Sequence, residues 1–433
     1  MSNAKYRSRH AISIWFCMLM CTAFLAACAV APQAPVASED TGSAALRVLV
    51  PPGGTGRAIS GGLETVQEDT GIAVNIEDLP IPDVRQQQVL DLSSGSGNLD
   101  IITNLNQWVG EMNPRLSPLN EWIEESGVAV DQFIPGIVDL FTTDGQIYSL
   151  PVRVGGRVLV YRKDVLAAAG YERPPATYEE IAQLARELTT GEQYGFLINL
   201  GQDAHMLDSW STVFLGFGGQ FLKEDGTAGF NSQAGADALQ WVIDLYNEGV
   251  IPADAIEMDD GGMQAAMQQG RGAMAIIFSG WYAPMINPEA SELGEQIAVA
   301  SLPASVGSGL EKGPSLLSVW AWGVNASGDN QDDAWEVIRY ITSPEIQEKM
   351  AVSFGNGPTV SAIYNDEDFI AANPGAPGIL EALSGGVSQP PLQNWATIAE
   401  ILTEELAIAI VGDVTPQEAL DRATERANAE LAK

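Results

Sequence analysis

Histidine and cysteine are close to absent from this chain, and cations are scarce. His10 and His205 are the only two histidines among 433 residues, so no H-E-x-x-H helix can be built, and a Ser-His-Asp triad would have to use His205 alone. Cysteine stops at Cys28, after Cys17 and Cys21. That excludes a disulfide framework, a Cys-zinc site and a thiol nucleophile from the rest of the chain. Lys and Arg number 21 against 56 Asp and Glu, a formal net charge of -35. Such a surface repels nucleic acid, whose binding needs a basic face. No G-X-Y period runs through the 44 Gly and 24 Pro, which excludes a collagen-like chain. Gly53-Gly54-Thr55-Gly56 lacks the Lys-Ser/Thr of a phosphate-binding loop. Asp259-Asp260-Gly261-Gly262 and Asp329-Asn330-Gln331-Asp332-Asp333 lack EF-hand spacing and read as turn or helix-start acids. No metal site and no cofactor is expected, and nothing singles out a carboxylate pair for glycoside hydrolysis.

What is present begins with a leader. Lys5, Arg7 and Arg9 precede an uncharged apolar run from Ala11 to Ala27. The run is a little short for the ~20 residues of a membrane span and is followed by polar, Pro-rich sequence, as in a secretory signal. Its end, Leu25-Ala26-Ala27-Cys28, resembles the bacterial lipobox, which implies a lipidated Cys28 and a protein tethered outside the cytoplasm. Residues 1–28 therefore read as a lipoprotein signal peptide and 29–45, rich in Ala and Pro, as a flexible tether.

Beyond the tether the pattern is α/β. A strand at Leu46 to Val50 runs into Pro51-Pro52-Gly53-Gly54-Thr55-Gly56, then a helix from Ala58 to Asp69 and a strand from Ile72 to Ile76. A third strand, Leu99 to Ile102, gives way to the polar stretch Thr103 to Trp108, and ligands sit at such carboxyl ends in open α/β sheets. Thr177-Tyr178-Glu179-Glu180 and Thr415-Pro416-Gln417-Glu418 are capping boxes ahead of apolar-striped helices. A further helix from Ile398 to Val411 ends at Gly412. Val158 to Tyr161, Ala273 to Ile277, Ile297 to Ala300 and Ala321 to Val324 read as strands. At ~100–200 residues per domain, the length suits two or three domains.

Several stretches, in order, resemble the extracellular solute-binding proteins of ABC importers related to the maltose-binding protein. They include Glu68-Asp69-Thr70-Gly71-Ile72, Gly97-Asn98-Leu99-Asp100-Ile101-Ile102, Asp144 to Pro151, Val160-Tyr161-Arg162-Lys163-Asp164, Pro175 to Glu180, Gly272-Ala273-Met274-Ala275 with Ser279-Gly280-Trp281, Ser301-Leu302-Pro303, Ile341 to Glu345 and Gly355-Asn356-Gly357-Pro358. The resemblance implies a two-lobe periplasmic-binding-protein fold of the Venus-flytrap type, with three crossovers near Pro151 to Gly155, Leu316 to Trp320 and Tyr364 to Asp368. It implies an N-terminal lobe of residues 46–152 and 321–366 and a C-terminal lobe of 153–320 and 367–433. It also implies a monomer that holds a carbohydrate, an oligosaccharide for preference, between the lobes and delivers it to membrane permease subunits. Arg153 and Gly155 stand where maltose-binding relatives carry small and acidic residues, and Asn104 replaces an aromatic, so maltose itself is disfavoured.

A neutral polyhydroxylated ligand needs apolar plates for its C–H faces and rigid donors and acceptors for its hydroxyls. Trp281 and Trp395, at loop junctions, stand where relatives place stacking aromatics, and Trp210 with Asp208 at the spacing of a cleft aromatic, each with core packing as the alternative. Tyr282 stacks or packs. Asn104, Asn106, Gln107 and Trp108 after the third strand, and Thr55 in the first turn, are further candidates, against a solvated loop. Arg153 either pairs with Asp208 or forks onto the carboxylate of an acidic sugar. Of Trp320 and Trp322, on one short strand, Trp320 is expected to face the cleft. Two other readings stay open: an extracytoplasmic glycan-degrading enzyme, and the same fold holding an amino acid, a metal or a polyamine.

Overall fold

The computed structural model describes residues 45–201 and 204–433, without the side chains of residues 204 and 205. The leader, Cys28 and the tether up to residue 44 lie outside the described residues.

Ten strands are described: β1 (Leu46–Val50), β2 (Val74–Asp78), β3 (Ile101–Leu105), β4 (Thr142–Thr143), β5 (Gln146–Ile147), β6 (Leu150–Arg162), β7 (Tyr194–Leu197), β8 (Gly272–Phe278), β9 (Ile297–Ala300) and β10 (Leu317–Val324). Apart from the β4–β5 hairpin they form one hydrogen-bonded path, β2-β1-β3-β10-β6-β8-β7, with β9 also paired to β6. β1 is parallel to β2 and β3, and β10 runs antiparallel to β3. The 13-residue β6 belongs to both lobes: Leu150 to Gly156 pair with β10, whereas Arg157 to Arg162 pair with β8 and β9. A strand buried along both faces reads as a nearly unbroken apolar run, and β6 is one, interrupted by Arg153 and Arg157. β10 pairs with β6 from Leu317 to Trp322 and with β3 from Trp320 to Val324, so that Trp320 to Trp322 are held on both sides, with a register shift against β6 between Trp320 and Ala321. The chain returns to the second lobe after the helix Pro344–Phe354, which packs on the helix Gly54–Gly62, and the helix Ala376–Leu383 then packs on β6 and β9. The architecture is thus a two-lobe α/β fold in which strands themselves cross between lobes.

The sheet and its helices bury two apolar clusters. One joins β1, β3 and β10 to the inner side of β6 and β8; the other packs the helices Tyr178–Leu188, Gln233–Asn247, Trp395–Ile410 and Pro416–Leu431 on the opposite face of the second lobe. Some local expectations shift. The first helix breaks into Gly54–Gly62 and Val66–Thr70, and β2 starts two residues late. The cap at Thr177 is half of the expected box: Thr177 Oγ1 accepts the Glu180 N–H at 3.1 Å, but the Glu180 carboxylate takes the Ala176 N–H at 2.8 Å and the Arg173 fork. Those partners hold the Glu180 carboxyl down at about 2. At Thr415 the box is complete, with the Glu418 N–H on Thr415 Oγ1 at 3.3 Å and the Thr415 N–H on Glu418 Oε2 at 3.0 Å.

Because the Thr415 cap starts the helix that closes the second core, Thr415→Ala is expected to lower the unfolding free energy by about 1 kcal/mol. Urea titration followed by far-UV circular dichroism checks this; an unchanged midpoint would contradict it.

Candidate functional site

Side chains two apart on a strand share a face, and cross-strand partners do too. Arg153, Gly155 and Arg157 therefore line one face of β6, joined by Trp320 opposite Arg153, Ser318 opposite Gly155 and Phe278 opposite Arg157. Glycine at 155 is required: a Cβ there would lie 2.3 Å from the Phe278 ring. These residues form a floor where the lobes meet.

Arg157 is 2% exposed and bonds both oxygens of Asp260 through Nη1, at 2.8 and 3.1 Å, with Asp208 Oδ2 3.9 Å from Nη2. Asp208 Oδ1 accepts the Gln389 amide at 2.8 Å, and Gln389 Oε1 accepts the Trp395 indole N–H at 2.7 Å. A polar chain thus runs from the floor to the wall of the second lobe.

A groove of about 690 Å³ lies along that wall. Gln107, Trp108 and the Arg85–Glu111 pair (2.9 Å) flank it from the first lobe; Asp208, Gln389, Gln393, Trp395 and the helix face Ala399 to Ile408 flank it from the second. Apolar plates with a few convergent polar groups are what a small-molecule site needs. The segment from Ser388 to Gln393 bridges the lobes at its end. Asn106 Nδ2 donates to Ser388 Oγ at 2.6 Å and Gln393 Nε2 to the Gly110 carbonyl at 3.4 Å. Gly110 sits so close beneath Pro391 that a Cβ would come within 2.2 Å of its carbonyl oxygen.

The candidate residues divide by environment. Gln107, Trp108, Asp208 and Trp395 line the groove. Trp320 meets Trp108 edge-on at 5.6 Å, while Trp322 is fully buried. Trp281 is partly buried beside Gly261, in the helix that supplies Asp260, and Thr55 is partly exposed in the first turn of Gly54–Gly62. Asn104 lies inside β3 rather than beyond it, because the strand extends to Leu105; fully buried, it holds Asn113 and Ser149. Asn106 is a strut as well, bonded to the Leu317 carbonyl and the Val319 N–H of β10. Trp210 is 2% exposed and stacks on Phe214 at 4.8 Å. Tyr282 is buried with its hydroxyl on the Ile297 carbonyl, and burial pushes that phenol up to about 12. Arg153 does not pair with Asp208, which lies instead beside Arg157; Arg153 packs over the Phe278 ring at 5.5 Å.

Sequence reasoning passed over Arg157, Gln389 and Gln393, and took Asp260 for a helix-start acid, which it is, without seeing its partner in Arg157. The signal for Arg157 was its i+4 spacing from Arg153 on one strand, which puts both on one face. The two glutamines lie in the Pro-rich stretch before Trp395 but carry no period. Among the described residues no group of three or more His, Cys, Asp or Glu is arranged to hold a metal ion.

Comparison with known proteins fits this geometry. The family described as bacterial extracellular solute-binding protein matches residues 58–348. A probable amino-acid ABC transporter periplasmic-binding protein, y4oP of Sinorhizobium fredii, is 24% identical over 382 residues, covering 86% of each chain. Among solved structures, maltose-bound MalE3 of T. maritima superposes with a TM-score of 0.78 at 23% identity, over 90% of this chain and 99% of that one. A solute-binding protein of Agrobacterium radiobacter K84 in complex with ribitol also gives 0.78, at 24% identity, over 89% and 98%. The chain belongs to the bacterial extracellular solute-binding proteins, the substrate-binding components of ABC transporters that act outside the cytoplasm.

Proposed function

We propose that this protein captures a carbohydrate or polyol in the groove between its lobes and hands it unaltered to a permease. The observation that carries this reading is the groove itself, where the apolar helix face from Ala399 to Ile408 lies next to the amides of Gln107 and Gln393, with Trp108 (9% exposed) and Trp395 (3% exposed) packed mainly into the two cores behind it. An indole matches a sugar's C–H face, and an amide both donates to and accepts from hydroxyls. The maltose and ribitol held by the two structural neighbours support the same ligand class. The lobes divide at 152/153, 320/321 and 366/367, so that two of the three connections are the strands β6 and β10. Ligand touching both lobes favours the closed state by its differential affinity for that state, which signals occupancy to the permease. Cys28 carries the lipid anchor, residues 29–45 are the tether, and the protein acts as a monomer. A second reading, an amino-acid ligand, rests on the name of the Sinorhizobium relative.

A thermal-shift panel of mono-, di- and oligosaccharides, polyols and amino acids tests this, since a ligand of the folded state raises the unfolding midpoint. Saturable stabilisation by a sugar or polyol with no product released supports the reading; turnover, or stabilisation by amino acids alone, overturns it. Trp281 does not line the groove but follows Gly280, which lies beside Arg153 on the floor, and lobe closure would bring it to the ligand; Trp281→Ala is then expected to weaken calorimetric affinity by about 2–4 kcal/mol, and no change would remove Trp281 from the site. Gly110→Ala is expected to push the Pro391 segment off the first lobe at a strain of about 1–3 kcal/mol, seen as a comparable loss of affinity with the fold intact. Cys28→Ser is expected to shift the protein from the membrane to the soluble extracytoplasmic fraction; retention in the membrane would refute the anchor.

A further inference from the structure

The cleft floor holds two arginines, and they are treated differently. Arg157, buried, has the carboxylates of Asp260 and Asp208 beside it. Arg153, on the same face four residues back along β6 and only half-buried, makes no hydrogen bond or ion pair with any described residue; it has only the Phe278 ring, 5.5 Å away. No carboxylate contributes to its electrostatic environment. Burial alone pushes the guanidinium down to about 10, and its nearest titratable neighbour is Tyr364, a phenol that burial raises and so keeps neutral. In a chain with 56 acids to 21 cations, a guanidinium left without a counter-charge is unusual. The two acids within reach of the floor are already engaged by Arg157. A dehydrated cation with no partner costs stability that an arriving anion returns. Gly280 packs closely on one side, since a Cβ there would stand only 3.3 Å from Nη2, and the Phe278 ring supports the guanidinium without taking any of the donors that a bidentate oxyanion would use.

We propose that the ligand carries an anionic oxygen group, a carboxylate or a phosphate, which Arg153 receives on the cleft floor while the Trp108 and Trp395 side of the groove holds its hydroxylated part. The inference rests on the carbohydrate reading above and narrows it to acidic sugars or polyols.

The test is calorimetry of the full-length protein with matched pairs: galactose against galacturonate, glucose against glucuronate, and glucose and glycerol against their phosphates. An anionic member is expected to bind at least ~10-fold more tightly than its neutral partner, more weakly as salt rises, and the carboxylate and phosphate arms separate the two sources. Arg153→Gln is expected to abolish that preference with an unfolding midpoint at or above that of the parent, because the cation held without a counter-charge is gone; Arg153→Lys is expected to keep part of it. Should the Gln variant not fold, the parent's matched pairs and the Lys variant still decide. Neutral members binding as tightly as anionic ones, with Arg153→Gln unchanged, would overturn this inference and leave the sugar receptor standing. Failure of every neutral and anionic compound to bind would overturn both.

Discussion

A guanidinium buried inside a sheet has to be met by carboxylates, and around Arg157 that requirement organises the cleft. The side chain sits on β6, the strand shared by both lobes, and its charge fixes the start of the helix Asp260–Gln268 through Asp260 and draws in Asp208 from the helix Ala204–Gly216. Asp208 in turn holds Gln389, and Gln389 orients Trp395. One electrostatic need thereby sets the position of an aromatic plate several elements away. Removing one partner from such a cluster leaves an uncompensated buried charge, which is far costlier than losing a surface pair.

The same strand ties the two lobes together. β6 and β10 carry hydrogen bonds continuously across the junction, so the lobes are joined by ordered strands and not by loose linkers. The register shift between Trp320 and Ala321 lies within the β10–β6 ladder, where β10 is also paired to β3, and a bulge there adds local twist. The segment Ser388–Gln393, seated on Asn106 and Gly110, adds a second contact between lobes beside the groove.

Much of the fold was legible because it rests on short-range signals. Apolar runs marked β1, β8 and β9 nearly to the residue, and the Thr415 box and Gly412, at φ 86°, mark the bounds of the last helix and the end of the one before it. The site was legible only in part. Gln107, Trp108, Asp208 and Trp395 do line the groove, whereas Asn104 and Asn106, of the same chemistry and the same stretch, are struts. A polar residue near a strand end looks alike in sequence whether it faces solvent or the neighbouring strand; one extra turn of the pleat in β3 decides between them.

The sequence by itself determined the alternation of strands and helices, the excess of acid and the family, since each is written in residues that are neighbours along the chain. Only the tertiary structure decided which arginine is neutralised, which indoles are core and which asparagines are bolts. Those outcomes depend on partners far apart in the chain, Arg157 and Asp260 separated by 103 positions and Asn106 and Ser388 by 282, and no local pattern reports which distant group will arrive to meet a charge or an amide.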